Sequence, residues 1–285
     1  MTKKTISNLL KGFALVGVLF MISSCEPRTE KIKLGYVLWD SEIASTHVVA
    51  AVIEDRLGEE VSLTAVDAGP MWMGVARGDF DAIVAAWLPT THEAYLDQTA
   101  DDIINLGPNL EGARLGWVVP SYVPVNSIDE LNEYAEEFNE QIIGIDPGAG
   151  LMAASEKVME DYELDNFRLV SGSDAAMTAA LQRAIEREEW IVVTGWTPHW
   201  KFAAFDLKYL EDPKLSLGEE EHIATIVHPN LQTKAPEVFA FLDNFYWTPD
   251  DMAEVMMLIE DDMEPMDAAR QWIAENPEKV NAWLQ

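Results

Sequence analysis

Cysteine is almost absent from this chain: Cys25 is the only one in 285 residues. A lone cysteine excludes an intramolecular disulfide and any zinc site built on several thiolates. Basic residues are also scarce, with 19 Lys+Arg against 50 Asp+Glu and a formal net charge of -31. A folded surface that binds nucleic acid must neutralise phosphate with Lys and Arg, so that class is excluded. The five histidines (His47, His92, His199, His222 and His228) show no metal-ligand spacing. The chain has no Walker A loop, G-x-G-x-x-G or H-E-x-x-H, and no G-x-S-x-G elbow. With no nucleophile, base or metal constellation, the chain does not read as an enzyme, and neither cofactor nor metal is expected.

The sequence does have apolar content, at 48% hydrophobic residues over a length that supports a large core and two lobes. Its N-terminus carries Lys3, Lys4 and Lys11, then the apolar run 13–22, then Ser23, Ser24 and Cys25. A basic start, a short apolar segment and small residues before a break describe a signal peptide over residues 1–24. The run is too short for a spanning helix. Ile22-Ser-Ser-Cys25 resembles a bacterial lipobox, which would make Cys25 the lipidated N-terminus of an exported protein, with residues 25–30 as linker. The alternative is a free thiol beside a cleavage site. The expected location is the outer face of a membrane or the periplasm, tethered by the lipid. The acidity is dispersed along the chain, as in Glu59-Glu60, Glu219-Glu-Glu221 and Asp261-Asp262. Dispersed carboxylate suits a salty medium, where screening weakens self-repulsion, and so hints at a halophile. An ordinary solvated acidic surface reads the same way.

Beyond residue 30, short apolar strands alternate with amphipathic helices. Strands are predicted at 31–38, 61–66, 82–86, 141–145, 167–171 and 190–193. Helices are predicted at 43–57, 71–77, 151–162 and 175–186. This alternation defines an α/β fold with parallel sheets. Ser127-Ile-Asp-Glu130 fits a capping box, and Thr248-Pro249 places Pro at a first helical position. The helix–strand–Trp-x-Pro pattern of residues 71–89 returns at 176–198. Each half thus delivers a tryptophan, Trp87 or Trp196, at the carboxyl end of a buried strand, where α/β proteins bind ligands. Two core tryptophans in related lobes would give the same pattern.

Five stretches carry a resemblance: Trp39-Asp-Ser-Glu-Ile-Ala-Ser45, Asp67-Ala-Gly-Pro-Met-Trp72, Ala86-Trp-Leu-Pro-Thr-Thr-His92, Gly144-Ile-Asp-Pro-Gly-Ala-Gly-Leu-Met152 and Thr194-Gly-Trp-Thr-Pro-His-Trp200. Over essentially the whole chain beyond the leader, the sequence resembles the glycine betaine/proline betaine substrate-binding proteins of osmoprotectant ABC importers. The resemblance implies a two-lobed periplasmic-binding-protein fold, each lobe a mostly parallel sheet flanked by helices. Lobe 1 would be 31–117 plus about 222–285, and lobe 2 would be 118–221. It implies that Trp39, Trp87 and Trp196 box a trimethylammonium group. His92 and the backbone N–H groups of Gly150 and Leu151 would hold a carboxylate, and an ABC permease would receive the ligand.

The physical chemistry agrees with this assignment. A quaternary ammonium has no N–H to donate, whereas aromatic faces attract it at about 0.5–2 kcal/mol per contact. Helix N–H groups opened by Gly148-Ala-Gly150 suit an anion, and glycine allows close approach of the backbone. Choline or carnitine is the alternative ligand, and choline lacks the carboxylate. Trp72, Trp117, Trp190, Trp200, Trp247, Trp272 and Trp283 read as packing. His92 also fits a helix cap, and His199 a brace for the Trp196 loop. Asp40 and Glu42 read as solvated or capping.

Overall fold

The computed structural model describes residues 30–285. The signal peptide, the linker up to residue 29 and the lipidation expected at Cys25 lie outside the described residues. Nine strands form the framework: β1 (Ile32–Tyr36), β2 (Val61–Ala65), β3 (Ala82–Leu88), β4 (Ile104–Pro120), β5 (Gln141–Ile143), β6 (Arg168–Val170), β7 (Val192–Thr197), β8 (Leu207–Tyr209) and β9 (Glu221–Val227). The helices are α1 (Asp40–Val52), α2 (Ala68–Arg77), α3 (Glu93–Thr99), α4 (Gly150–Asp161), α5 (Asp174–Glu186), α6 (Lys201–Ala204), α7 (Leu231–Lys234), α8 (Pro236–Asn244), α9 (Pro249–Glu260), α10 (Pro265–Glu275) and α11 (Pro277–Trp283). No helix of the described residues is long and apolar enough to cross a membrane.

The strands follow the order β2-β1-β3-β9-β4-β7-β5-β6, with β8 also paired to β4. Strand β4 joins the two halves. From Ile104 to Ala113 it pairs antiparallel with β9, and from Arg114 to Val118 it pairs antiparallel with β7. Parallel pairing holds β1 to β2 and β3, and β5 to β6 and β7. These are the strands joined by helical crossovers, which only parallel neighbours require. Both halves are therefore mixed sheets, because β4, β8 and β9 add antiparallel pairs that the alternation of strands and helices did not reveal.

Helix α1 is buried along most of its length, with Ala44 and Val48 through Val52 fully inside. It packs between β3 on one side and α9 and α10 on the other, as expected of a helix apolar on every face. It starts at Asp40, ahead of the predicted residue 43, and passes into a π-helical turn at Ile53–Leu57 that ends at Gly58 with φ 73°. The capping box expected at Ser127 does not form: Ser127 Oγ bonds Asp129 instead, and the Glu130 carboxylate accepts from Asn126 N–H. A capping box does form at α9, where Thr248 and Asp251 exchange bonds and Pro249 opens the helix.

The C-terminal helices close over an aromatic cluster. Trp272 stacks on Trp283 at 6.0 Å and meets Trp247 edge-on at 5.8 Å. The indole N–H groups of Trp272 and Trp283 donate to Glu254 and to the Tyr246 carbonyl. These three tryptophans and Trp117, whose N–H donates to Ser155, pack as the sequence reading expected. Trp190 packs half-buried against Tyr134 and Phe138. Truncating a buried indole leaves a large cavity, so Trp272→Ala is expected to lower unfolding free energy by about 3–5 kcal/mol in urea titration.

Candidate functional site

The carboxyl ends of β1, β3, β5 and β7 converge on one small cavity, lined by Trp39, Trp87, Thr91, Leu115, Ile145, Ala149, Leu151 and Trp196. A wider hollow beside Arg183, Arg187 and Trp190 shares no lining residue with it. The three tryptophans singled out in the sequence thus meet at one place. Trp39 follows β1, Trp87 ends β3 and Trp196 lies in β7. The Trp39 and Trp196 rings stand 6.3 Å apart, inclined by 55°. Sequence reasoning missed Thr91, Leu115, Ile145 and Ala149, whose side chains carry no chemical signature.

Each boxed indole is buried, so its N–H needs an acceptor. Trp39 donates to Asp146 at 3.0 Å, Trp87 to Glu42 at 2.8 Å and Trp196 to Ser41 at 3.2 Å. The first and last of these bonds run between the β1–β3 half of the sheet and the β5–β7 half. Ser41 and Glu42 occupy the first turn of α1, which begins directly after Trp39. Glu42 is therefore neither solvated nor a cap. It is fully buried, and burial raises its carboxyl to about 8, so it stays protonated at neutral pH. Asp40, also read as solvated, accepts the Trp200 indole N–H, and its own backbone N–H donates to Asp174 at 3.1 Å. Trp200 is thus a cross-sheet contact as well as packing.

His92 is fully buried, and burial lowers its imidazole to about 3, so the ring is neutral. Its Nδ1 accepts from the Trp87 backbone N–H at 3.1 Å and from the Trp72 indole at 3.3 Å. The proton therefore sits on Nε2, which has no partner among the described residues. His92 occupies the N-cap position of α3, but its side chain makes no capping bond. Trp72, read as packing, fixes the tautomer of this histidine. The His92 ring lies 6.3 Å from that of Trp39 but does not line the cavity.

Gly150 and Leu151 open α4, where first-turn N–H groups have no partner within the helix. Leu151 lines the cavity and Gly150 does not. The close approach that Gly150 permits is to protein: a Cβ there would lie 2.1 Å from the Thr91 carbonyl oxygen. Thr91 is held in turn by Glu221, whose carboxylate accepts from the backbone N–H groups of Thr90 and Thr91 at 2.7 and 2.8 Å. His199 braces Trp196 edge-on at 4.7 Å and donates from Nε2 to Asp174 at 3.2 Å. Asp40, Asp174 and His199 bring ligand-type atoms within 4.8 Å of one another. Beside them, burial lowers the Lys201 amine to about 8, and the charges of Asp174 and Asp40 oppose that lowering.

Two half-sheets, with a small aromatic cavity at their carboxyl edges, define a two-lobed α/β solute-binding protein. Residues 30–275 match the family described as the substrate binding domain of ABC-type glycine betaine transport systems, and the chain belongs to that family. A crystal structure of lactococcal OpuAC, closed and complexed with glycine betaine, matches at 45% identity and TM-score 0.86, covering 90% of this chain and 100% of that one. The glycine betaine/L-proline-binding protein ProX of Borrelia burgdorferi matches at 34% identity and TM-score 0.85, covering 90% and 97%. The glycine betaine/carnitine transport binding protein GbuC of Listeria monocytogenes is 48% identical over 157 residues, 54% of this chain and 52% of its own length. The chain thus aligns with about half the length of that curated relative. All three relatives are binding proteins, not enzymes.

The buried acid sets a testable pH dependence. Glu42 binds its proton up to about pH 8 when folded but only to about 4.5 when unfolded. Between these values the folded state holds the extra proton, so stability falls as pH rises. His92 and His199 act in the opposite sense but only below their unfolded value of 6.5. Between pH 7 and 8 Glu42 is expected to contribute a loss of about 1 kcal/mol, partly offset in the wild type by Lys201, whose lowered amine acts in the opposite sense. Glu42→Gln should flatten that limb in urea titrations. Equal slopes in the two proteins would contradict a protonated Glu42.

Proposed function

We propose that this chain is the extracytoplasmic binding protein that captures glycine betaine, and proline betaine with it, for delivery to an ABC permease in osmoprotection. The observation that carries the reading is the convergence of Trp39, Trp87 and Trp196 on one small cavity, with the unpartnered Nε2–H of His92 and the first turn of α4 beside it. Three desolvated ring faces, at about 0.5–2 kcal/mol each, suit a trimethylammonium group that offers no hydrogen bond. The His92 Nε2–H and the N–H groups of Gly150 and Leu151 would hold the carboxylate. Together they reach the roughly 8 kcal/mol of a micromolar complex.

The lobes of this reading are 31–117 with about 222–285, and 118–221. The change of β4 from β9 to β7 between Ala113 and Arg114 supports a division close to the first limit. Export and lipid anchoring through Cys25 belong to the same proposal, which the mass of the mature N-terminal peptide tests. Choline or carnitine is the competing ligand, but the donors around His92 favour a zwitterion over choline.

Calorimetric titration with glycine betaine at low and molar salt should give one saturable micromolar site from which choline does not displace the ligand. Absence of heat at both salts would refute the assignment. Trp39→Ala, Trp87→Ala and Trp196→Ala are each expected to weaken betaine binding at least tenfold, and unchanged affinity in all three would remove the aromatic box. His92→Ala should weaken betaine binding by about tenfold or more while leaving the weak response to choline unchanged.

A further inference from the structure

Lys201 is a buried cation that the proposed binding reaction does not use. Its amine is fully buried and has no hydrogen-bond partner among the described residues. It lies 4.2 Å from the centroid of the Trp196 ring. Trp196 lines the cavity and Lys201 does not, so the ammonium covers the ring face turned away from the cavity. One indole thus carries a cation on its outer face and offers its inner face to the solute.

We propose that Lys201 is a specificity-determining residue that holds down the affinity of the cavity for a cationic head group, by occupying the outer face of Trp196. The inference rests on the betaine-box reading. An ammonium on one face draws π-density toward itself, and what remains attracts a second cation less strongly. The two positive charges also repel across the ring in a site that excludes water, where screening is weak. Lys201 therefore opposes a trimethylammonium group while leaving the shape of the box intact. A binding protein that must hand its solute to a permease needs a bound state that is not too deep.

The charges around this amine are Asp40 and Asp174, which interact with Lys201, and Glu260, which faces Asp40 from α9. His199 packs against Trp196 in neutral form, with burial and Lys201 lowering it to about 4. Glu42 faces the box from α1 and carries a carboxyl raised to about 8. Burial lowers the Lys201 amine to about 8 as well. Both groups therefore titrate in one window, and both changes strengthen cation binding as pH rises. An experiment on Lys201 must hold Glu42 fixed.

The test compares glycine betaine with 3,3-dimethylbutanoate, which keeps the shape and carboxylate but replaces the charged nitrogen by carbon. In Lys201→Met the affinity ratio of betaine to this neutral-headed analogue is expected to rise about three- to tenfold over wild type. A purely structural lysine would shift both ligands together and leave the ratio unchanged, which would overturn the proposal. If Lys201→Met does not fold, Glu42→Gln with Lys201 intact replaces it, and its ratio should rise by a similar factor between pH 6.5 and 9.5. A flat ratio in that protein would overturn the proposal. Wild-type protein that binds no betaine would instead refute the box reading and the proposal with it. Wild-type binding with an unmoved ratio refutes only the role of Lys201.

Discussion

The indole N–H is the constraint on which the rest of the site depends. A tryptophan that offers its face to a ligand inside a protein must place its one donor elsewhere, or leave a buried N–H unsatisfied at about 1–3 kcal/mol. Here the three acceptors are Asp146, Glu42 and Ser41. Two of them come from consecutive residues in the first turn of α1, the helix that Trp39 itself precedes. Two of the three bonds also join opposite halves of the sheet. The rings are therefore fully oriented only when the halves are together, and whatever stabilises the rings stabilises closure. On the proposed reading, a solute gripped by the rings would favour the state in which the halves are together, which would couple binding to closure as linkage requires.

The interior of the site is close to neutral, although the chain carries a net charge of -31. Burial raises the Glu42 carboxyl and lowers the His92 imidazole, so both are uncharged at neutral pH. The remaining charges sit behind Trp196, where Lys201 faces Asp174 and Asp40. A cavity walled by rings and aliphatic side chains holds no carboxylate for an inorganic cation, which prefers oxygen ligands or water. On the proposed reading, selectivity would reside in a wall that carries almost no net charge.

Much of this was legible in the sequence, for identifiable reasons. Trp39, Trp87 and Trp196 follow or end parallel strands, and the strand–helix alternation marks such ends directly. The helix starts at Asp40, Gly150 and Asp174 fall within a few residues of the predicted positions because apolar periodicity fixes them. The long strand β4 was not visible, since its residues alternate irregularly and three register shifts interrupt its pairing with β9. Glu42 was misread because a carboxylate after a strand end resembles a solvated cap in sequence. Only the three-dimensional approach of Trp87, 45 residues away, shows that it is buried and bonded. Trp72 was read as packing for a similar reason: its bond to His92 spans 20 residues and has no local signature.

Affinity in such a site is a balance, not a maximum. On the proposed reading, ring faces, helix N–H groups and His92 would all favour a bound zwitterion, and the cross-sheet bonds from Trp39, Trp196, Trp200 and Asp40 would favour closure around it. If every one of these contributed without opposition, release would be slow, because differences among related complexes reside mainly in the dissociation rate. Buried Glu42 and buried Lys201, each with an atom that has no partner among the described residues, are two groups at the site whose desolvation opposes burial. Both lie directly behind box tryptophans, Glu42 at the Trp87 N–H and Lys201 on the Trp196 face. On the proposed reading, the arrangement that orients the rings would also limit how firmly the solute is held, so that capture and release would be set by the same few side chains.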